Sequence, residues 1–313
     1  MYDLLVITGP TATGKTALGA AAALALNGEV VSADSMQVYT GMDIGTAKPT
    51  REEMRGVPHH MIDAADPRES FSAAKYAAMA GKCVEDIRSR GKLPIVVGGT
   101  GLYIDGLKRG GDYAAAPADP ALRRELEEEY DRVGGEAFRE ALRAVDPDRA
   151  GRLHPGDKKR LVRAREVCLL TGETITAHDE RSKNTPPRYT ALTVALDFTD
   201  RARLYDRIDR RAEAMFGRGL VDEVRRLLAS GVPADGTAMQ AIGYKETAAY
   251  LRGECTLPEA VETVKLRSRR YAKRQLTWLR RDPSVIWLRW KNEPDIADVP
   301  VISTLFSGRS AVK

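Results

Sequence analysis

Near the start of the chain, Gly9-Pro10-Thr11-Ala12-Thr13-Gly14-Lys15-Thr16 carries the spacing G-x-x-x-x-G-K-[ST]. This is the pattern of a phosphate-cradling loop. Its glycines let successive backbone N–H groups converge on phosphate oxygens, Lys15 adds a positive charge, and the Thr16 hydroxyl is a ligand for Mg²⁺. The apolar run before it and the helical pattern from Ala17 onward set it between a strand and a helix, whose N-terminus adds its own positive end. The bland alternative, a glycine-rich turn with an incidental lysine, explains neither flank. The loop does not name a reaction, because a diphosphate leaving group presents nearly the same oxygens as a nucleotide's β and γ phosphates.

Asp34 follows the apolar run Glu29-Val30-Val31-Ser32, at the strand end where open α/β sheets bind ligands. An acid there can hold a metal through water, cap the turn Ala33-Asp34-Ser35, or act as general base on a nucleophile aligned with the phosphate site. A nucleotide hydrolase calls for an apolar strand ending in an acid that supports the metal. Here Ile95-Val96-Val97 runs instead into Gly98-Gly99-Thr100-Gly101, which weakens an ATPase reading.

Two basic stretches point to a polyanion. Lys265 to Arg281 contains no acid, and Val264, Tyr271 and Trp278 recur every seven positions, which predicts an amphipathic helix with Arg267, Arg270, Lys273 and Arg274 on a positive face. Lys158-Lys159-Arg160-Leu161-Val162-Arg163-Ala164-Arg165 forms a second cluster at a helix start. The competing reading of each is a solvated charged face. An unbroken single sign repels itself, so an extended anion is favoured. His59-His60 lacks a third ligand nearby, which argues against zinc, and Trp278, Trp287 and Trp290 read as packing residues.

The elements that position these residues follow from the hydrophobic pattern. Short apolar runs at Leu4–Ile7, Glu29–Ser32, Pro94–Val97, Ala191–Leu196 and Val285–Leu288 alternate with helical periodicity, which predicts a parallel α/β sheet. The gap between Val97 and Ala191 far exceeds a simple crossover. Helical segments opening at Pro120, Gly134-Gly135 and about Gly156 fill it. We therefore expect a discontinuous core of residues 1–111 and 189–313, with residues 112–188 as a helical insert. The 313 residues are 43% apolar and 30% charged, with a net charge of +5, and no apolar run approaches a membrane span. Three scattered cysteines, Cys83, Cys168 and Cys255, support no disulfide framework. A cytoplasmic protein is expected, without membrane association and monomeric.

In an ordered series over nearly the whole chain, the sequence resembles the bacterial tRNA dimethylallyltransferase family. The matching stretches are Gly9–Thr16, Ser32–Tyr39 (SADSMQVY), Gly41–Pro49 (GMDIGTAKP), Pro58–Asp63 (PHHMID), Val97–Tyr103 (VGGTGLY), Lys159–Arg163, Gln240–Glu246 (QAIGYKE) and Tyr271–Trp278 (YAKRQLTW). Ser268 departs from the threonine common in the family. No zinc-finger extension follows Trp278, as expected of a bacterial-type member.

The resemblance implies a P-loop NTPase-like parallel sheet core with an inserted helical domain that binds the tRNA anticodon arm. It implies transfer of a dimethylallyl group from dimethylallyl diphosphate to N6 of the tRNA adenosine immediately 3′ of the anticodon, with Mg²⁺ as cofactor. By the family pattern Asp34 is the general base, Thr100 lies beside the reacting centre, Arg211 meets the diphosphate, and Arg123 lines the transfer site. Gly9, Pro10, Thr11, Ala12, Thr13, Gly14, Lys15 and Thr16 hold the diphosphate, Thr16 also facing the metal. The tRNA positions are Asp34, Ser35, Met36 and Gln37, then Lys159, Arg160, Leu161, Val162 and Arg163, then Gln240, Ala241, Ile242, Gly243, Tyr244 and Lys245. Arg210 adjoins Arg211, so either could carry the diphosphate role. Three other readings compete. A nucleotide kinase shares the loop and sheet but leaves the basic surfaces unexplained, and a transferase acting on free adenylate has no use for the full insert. A nonenzymatic RNA-binding NTP switch binds ATP or GTP and does not need Asp34.

Overall fold

A computed structural model of the protein describes residues 2–110, 119–184, 186–294 and 299–306. Six parallel strands form one sheet: β1 (Leu4–Thr8), β2 (Gly28–Ser32), β3 (His59–His60), β4 (Leu93–Val97), β5 (Ala191–Phe198) and β6 (Ile286–Trp290). Their order across the sheet is β3-β2-β4-β1-β5-β6. β1 lies inside the sheet, and Leu4, Leu5, Val6 and Ile7 are all fully buried because both faces of the sheet are covered.

The strand period of two separates these side chains. Leu4 and Val6 join Val31, Val96, Tyr76 and Tyr244 in one core, while Leu5 and Ile7 join Ile95, Val194, Leu18 and Leu276 in the other. α3 (Ala73–Ser89) supplies Tyr76, Ala80, Val84 and Ile87 to the first core. α10 (Arg201–Gly217) and α13 (Leu257–Leu279) supply Leu204, Ile208, Ala272 and Leu276 to the second. The expected parallel α/β sheet is present. It also contains β3, whose two residues are too few to show an alternation.

The chain divides into two compact units, one made of Met1–Lys108 with Tyr189–Lys313 and the other of Arg109–Arg188. The second unit contains α5 (Pro120–Val133), α6 (Gly135–Arg143), α7 (Pro147–Arg152), α8 (Lys158–Thr171) and α9 (Ile175–Asn184) around Leu126, Phe138, Leu142, Leu161 and Val162. Asp119 and Asp146 cap α5 and α7, each followed by a proline at the first helical position, where a missing N–H costs nothing. The expected insert start at Asp112, and Pro117 with it, lie outside the described residues. Among the described residues, no helix is long and apolar enough to cross a membrane.

Candidate active site

Because all strands run the same way, the turns after β1, β2 and β4 leave the sheet at one edge. The first turn runs from Gly9 to Gly14 and enters α1 (Lys15–Ala25). Gly9 has φ +136°, and a Cβ there would fall 2.4 Å from the Leu196 carbonyl oxygen, so only glycine lets the turn leave β1 beside β5. The turn is fastened from several sides. Thr13 Oγ1 donates to the Pro10 carbonyl at 2.8 Å, Trp290 Nε1 to the Thr13 carbonyl at 3.0 Å, and Arg207 Nε to the Ala12 carbonyl at 2.9 Å. Lys15 Nζ donates to the carbonyls of Gly9 and Pro10 at 3.0 and 2.6 Å. Burial, together with the nearby Arg211, pushes this ammonium down to about 7 against the opposing pull of Asp34.

The second turn carries Asp34. Its Oδ1 accepts the backbone N–H groups of Met36 and Gln37 at 2.9 and 3.3 Å, so the carboxylate does cap the turn, through one oxygen. Thr100, after β4, ties the second and third turns together: its hydroxyl accepts the Ser35 N–H at 3.1 Å, and its N–H donates to the Ala33 carbonyl at 3.1 Å. Gln37 has its amide engaged with Ser32, Thr46 and Ala47.

A cavity of about 650 Å³ opens over these turns, lined by Lys15, Thr16, Asp34, Met36, Arg207, Arg211, Tyr271, Arg274 and Gln275, with Gln240, Ala241 and Ile242 at another wall. Arg211 reaches it from α10. Its guanidinium is buried, its Nε has no hydrogen-bond partner among the described residues, and burial holds it below its usual value while Asp34 pulls the other way. Arg210 is instead solvent-exposed and bonded to Asp206 at 2.5 Å. The geometry thus separates the two adjacent arginines. Burial, reinforced by the charge of Asp34, pushes the Tyr271 phenol up to about 12.

An acid, a set of cations and a backbone-rich turn in one cavity suit transfer chemistry with an anionic leaving group. The IPP transferase family model matches residues 37–282. A tRNA dimethylallyltransferase of Acetivibrio thermocellus is 46% identical over 305 residues, covering 97% of this chain and 96% of that protein.

The chain belongs to the IPP transferase family.

Another relative, the tRNA dimethylallyltransferase of Geobacter sulfurreducens, is 49% identical, with 92% of each chain covered. Solved structures agree. The tRNA isopentenylpyrophosphate transferase of Bacillus halodurans superposes with TM-score 0.73 at 43% identity, over 98% of this chain and 96% of that one. A eukaryotic dimethylallyltransferase acting on tRNA superposes with TM-score 0.83 at 27% identity, over 99% and 81%.

The structure of this IPP transferase gathers Thr11 to Thr16 and Asp34 to Gln37 with Arg211 and Gln240 to Ile242 at the cavity. Tyr244 is buried, donating its hydroxyl to Glu223 at 2.6 Å, so its side chain supports the fold. Gly243 donates its N–H to Glu246, and Lys245 Nζ bonds the Gln240 amide oxygen at 3.1 Å. In the second unit, Leu161 and Val162 are core residues, whereas Lys159 and Arg160 are exposed. Arg123 and Arg163 both bond the fully buried Glu166 carboxylate, at 2.7 and 2.6 Å. Burial would raise Glu166, but these two cations and the Asp119 N–H outweigh it and hold it low.

Sequence reading missed Arg207, Gln275 and the buried Glu223, which accepts the N–H groups of Asp43, Ile44 and Gly45. All three act on backbone far away in sequence, and no local spacing signals that. His60 Nε2 lies 2.8 Å from Glu29, and among the described residues no cluster of His, Cys, Asp and Glu is built to hold a metal.

Proposed function

We propose that this chain transfers a dimethylallyl group from dimethylallyl diphosphate to N6 of the tRNA adenosine immediately 3′ of the anticodon, releasing diphosphate. The observation that carries this reading is the shared cavity, where the Asp34 carboxylate lies with Lys15, Arg211 and the Gly9–Thr16 turn. An exocyclic amine conjugated to a purine is a poor nucleophile. As its nitrogen bonds C1 of the donor, the bond from C1 to the diphosphate oxygen breaks and the N6 proton passes to Asp34. Oδ1 holds the turn, which leaves Oδ2 for the proton. The departing diphosphate gathers charge that the turn's N–H groups, Lys15 and Arg211 stabilise.

The core is, in this reading, P-loop NTPase-like with an inserted helical domain. Thr16, with the Asp34 and Glu53 carboxylates, supplies hard oxygen donors to the cavity, the type Mg²⁺ takes when diphosphate fills its other positions. Thr16 would hold the ion, which when bound offsets charge on the leaving group. Thr100 positions the Asp34 turn beside the reacting atoms. The target base must leave its stack to enter such a cavity. Arg270, Lys273 and Arg274 on α13, with Arg123, Lys159, Arg160 and Arg163 of the second unit, meet the phosphates of the anticodon arm.

Calorimetric titration tests the ligand class. Dimethylallyl diphosphate with Mg²⁺ should bind, and ATP should not be hydrolysed with or without tRNA. ATP hydrolysis stimulated by tRNA, without donor binding, would favour an NTP switch and sink the reading.

A further inference from the structure

Gln275 sits on α13, far from the Gly9–Thr16 turn in sequence, and its side chain is 7% exposed. Its Oε1 accepts the Thr11 N–H at 3.1 Å, while its Nε2 donates to the Gly99 carbonyl at 2.9 Å. One amide thereby joins the turn after β1 to the turn after β4. The chain of bonds continues: Thr100, next to Gly99, accepts the Ser35 N–H, and Asp34 precedes Ser35. A Cβ on Gly99 would lie 2.1 Å from Gln275 Nε2 but 3.4 Å from its Cδ. Gly99 does not have a left-handed φ, so the approach of this amide, rather than backbone conformation, accounts for the glycine.

We infer that Gln275 is a positioning residue, a staple that sets the spacing between the turn proposed to hold the diphosphate and the turn that carries Asp34. The inference rests on the dimethylallyl transfer reading. Transfer in line requires the nucleophile, C1 and the leaving oxygen to be aligned, and each end is held by a different turn. A staple across them acts on the reaction rate at saturation more than on the affinity for either substrate. Other fasteners of the first turn, Trp290 and Arg207, approach it from elements other than the β4 turn. Gln275 alone, among the described residues, bonds both turns through one side chain.

The test is single-turnover transfer at saturating dimethylallyl diphosphate and tRNA, with donor and tRNA dissociation constants and thermal melting measured alongside. Gln275→Leu should lower the rate about 10- to 100-fold, with both dissociation constants within about threefold of wild type. Gly99→Ala, which displaces the amide from the other side, should reproduce the loss. Leucine ends near the former Cδ, so Gly99→Ala/Gln275→Leu should be no slower than Gln275→Leu. A wild-type rate in Gln275→Leu, losses that multiply in the double variant, or a rate loss accompanied in proportion by loss of donor affinity or of melting temperature would overturn the staple. Wild-type protein that transfers nothing under the same conditions would contradict the function reading instead.

Discussion

Asp34 has two duties that divide between its carboxylate oxygens, one toward the N–H groups of Met36 and Gln37 and the other toward the proposed substrate. An asparagine keeps an acceptor for the turn and removes the base. Asp34→Asn should therefore fold and bind tRNA as wild type while single-turnover transfer falls roughly 100-fold. A near-normal rate would contradict the base assignment. Lys15 gives a pH prediction. Its ammonium titrates near 7 in the folded chain, below its ordinary value, so the unfolded chain binds more protons from there upward. The shift opposes folding most below about pH 7, and this penalty fades as the pH rises toward the ordinary lysine value. A bound diphosphate would restore the ammonium. Donor binding at pH 8 should take up a proton, seen as a dependence of the calorimetric enthalpy on buffer ionisation enthalpy, and Lys15→Met should abolish it. Uptake unchanged in Lys15→Met would assign the proton elsewhere.

At the scale of elements, buried Glu223 on α11 (Leu220–Ala229) anchors the 43–45 turn and the Tyr244 hydroxyl at once. Glu223→Ala leaves those donors unpaired and should lower stability in urea unfolding by about 1–3 kcal/mol. Tyr244→Phe removes one bond and should cost about 0.5–1.5 kcal/mol. An unchanged midpoint for Glu223→Ala would show that water replaces the carboxylate. The same residues mark what a sequence discloses. β1, β4 and β5 were legible because strands covered on both faces must be continuously apolar, and the Gly9–Thr16 turn because its chemistry sits in eight consecutive positions. Glu223, Gln275 and Arg207 were not. Each is a polar residue on a helix that otherwise reads as solvated, and its partner comes close only when the sheet assembles. The amphipathic reading of α13 found its apolar stripe in Val264, Ala272 and Leu276, but could not tell that Arg267 and Arg269 pair with Glu246 and Asp209.

Across the whole molecule, the single-sign stretches are partly neutralised by carboxylates from other segments. Arg160 pairs with Asp157 at 3.2 Å, Arg163 with Glu166, and Lys158 with Asp131 at 2.6 Å. Replacing Lys159, Arg160 and Arg163 together by alanine should weaken tRNA binding and flatten its salt slope by about two units, since each phosphate contact contributes about 0.9 and Arg163 remains engaged with Glu166. Donor binding should not change, and a wild-type slope would remove this surface from the RNA interface. The central claim, that one cavity brings a prenyl donor and a tRNA adenosine together, is tested most directly by incubating wild-type protein with dimethylallyl diphosphate radiolabelled in its prenyl group and with bulk tRNA, followed by digestion to nucleosides. The account predicts label in N6-dimethylallyladenosine, derived from the position 3′ of the anticodon. Label that stays with the diphosphate, or enters a nucleoside other than adenosine, would contradict it.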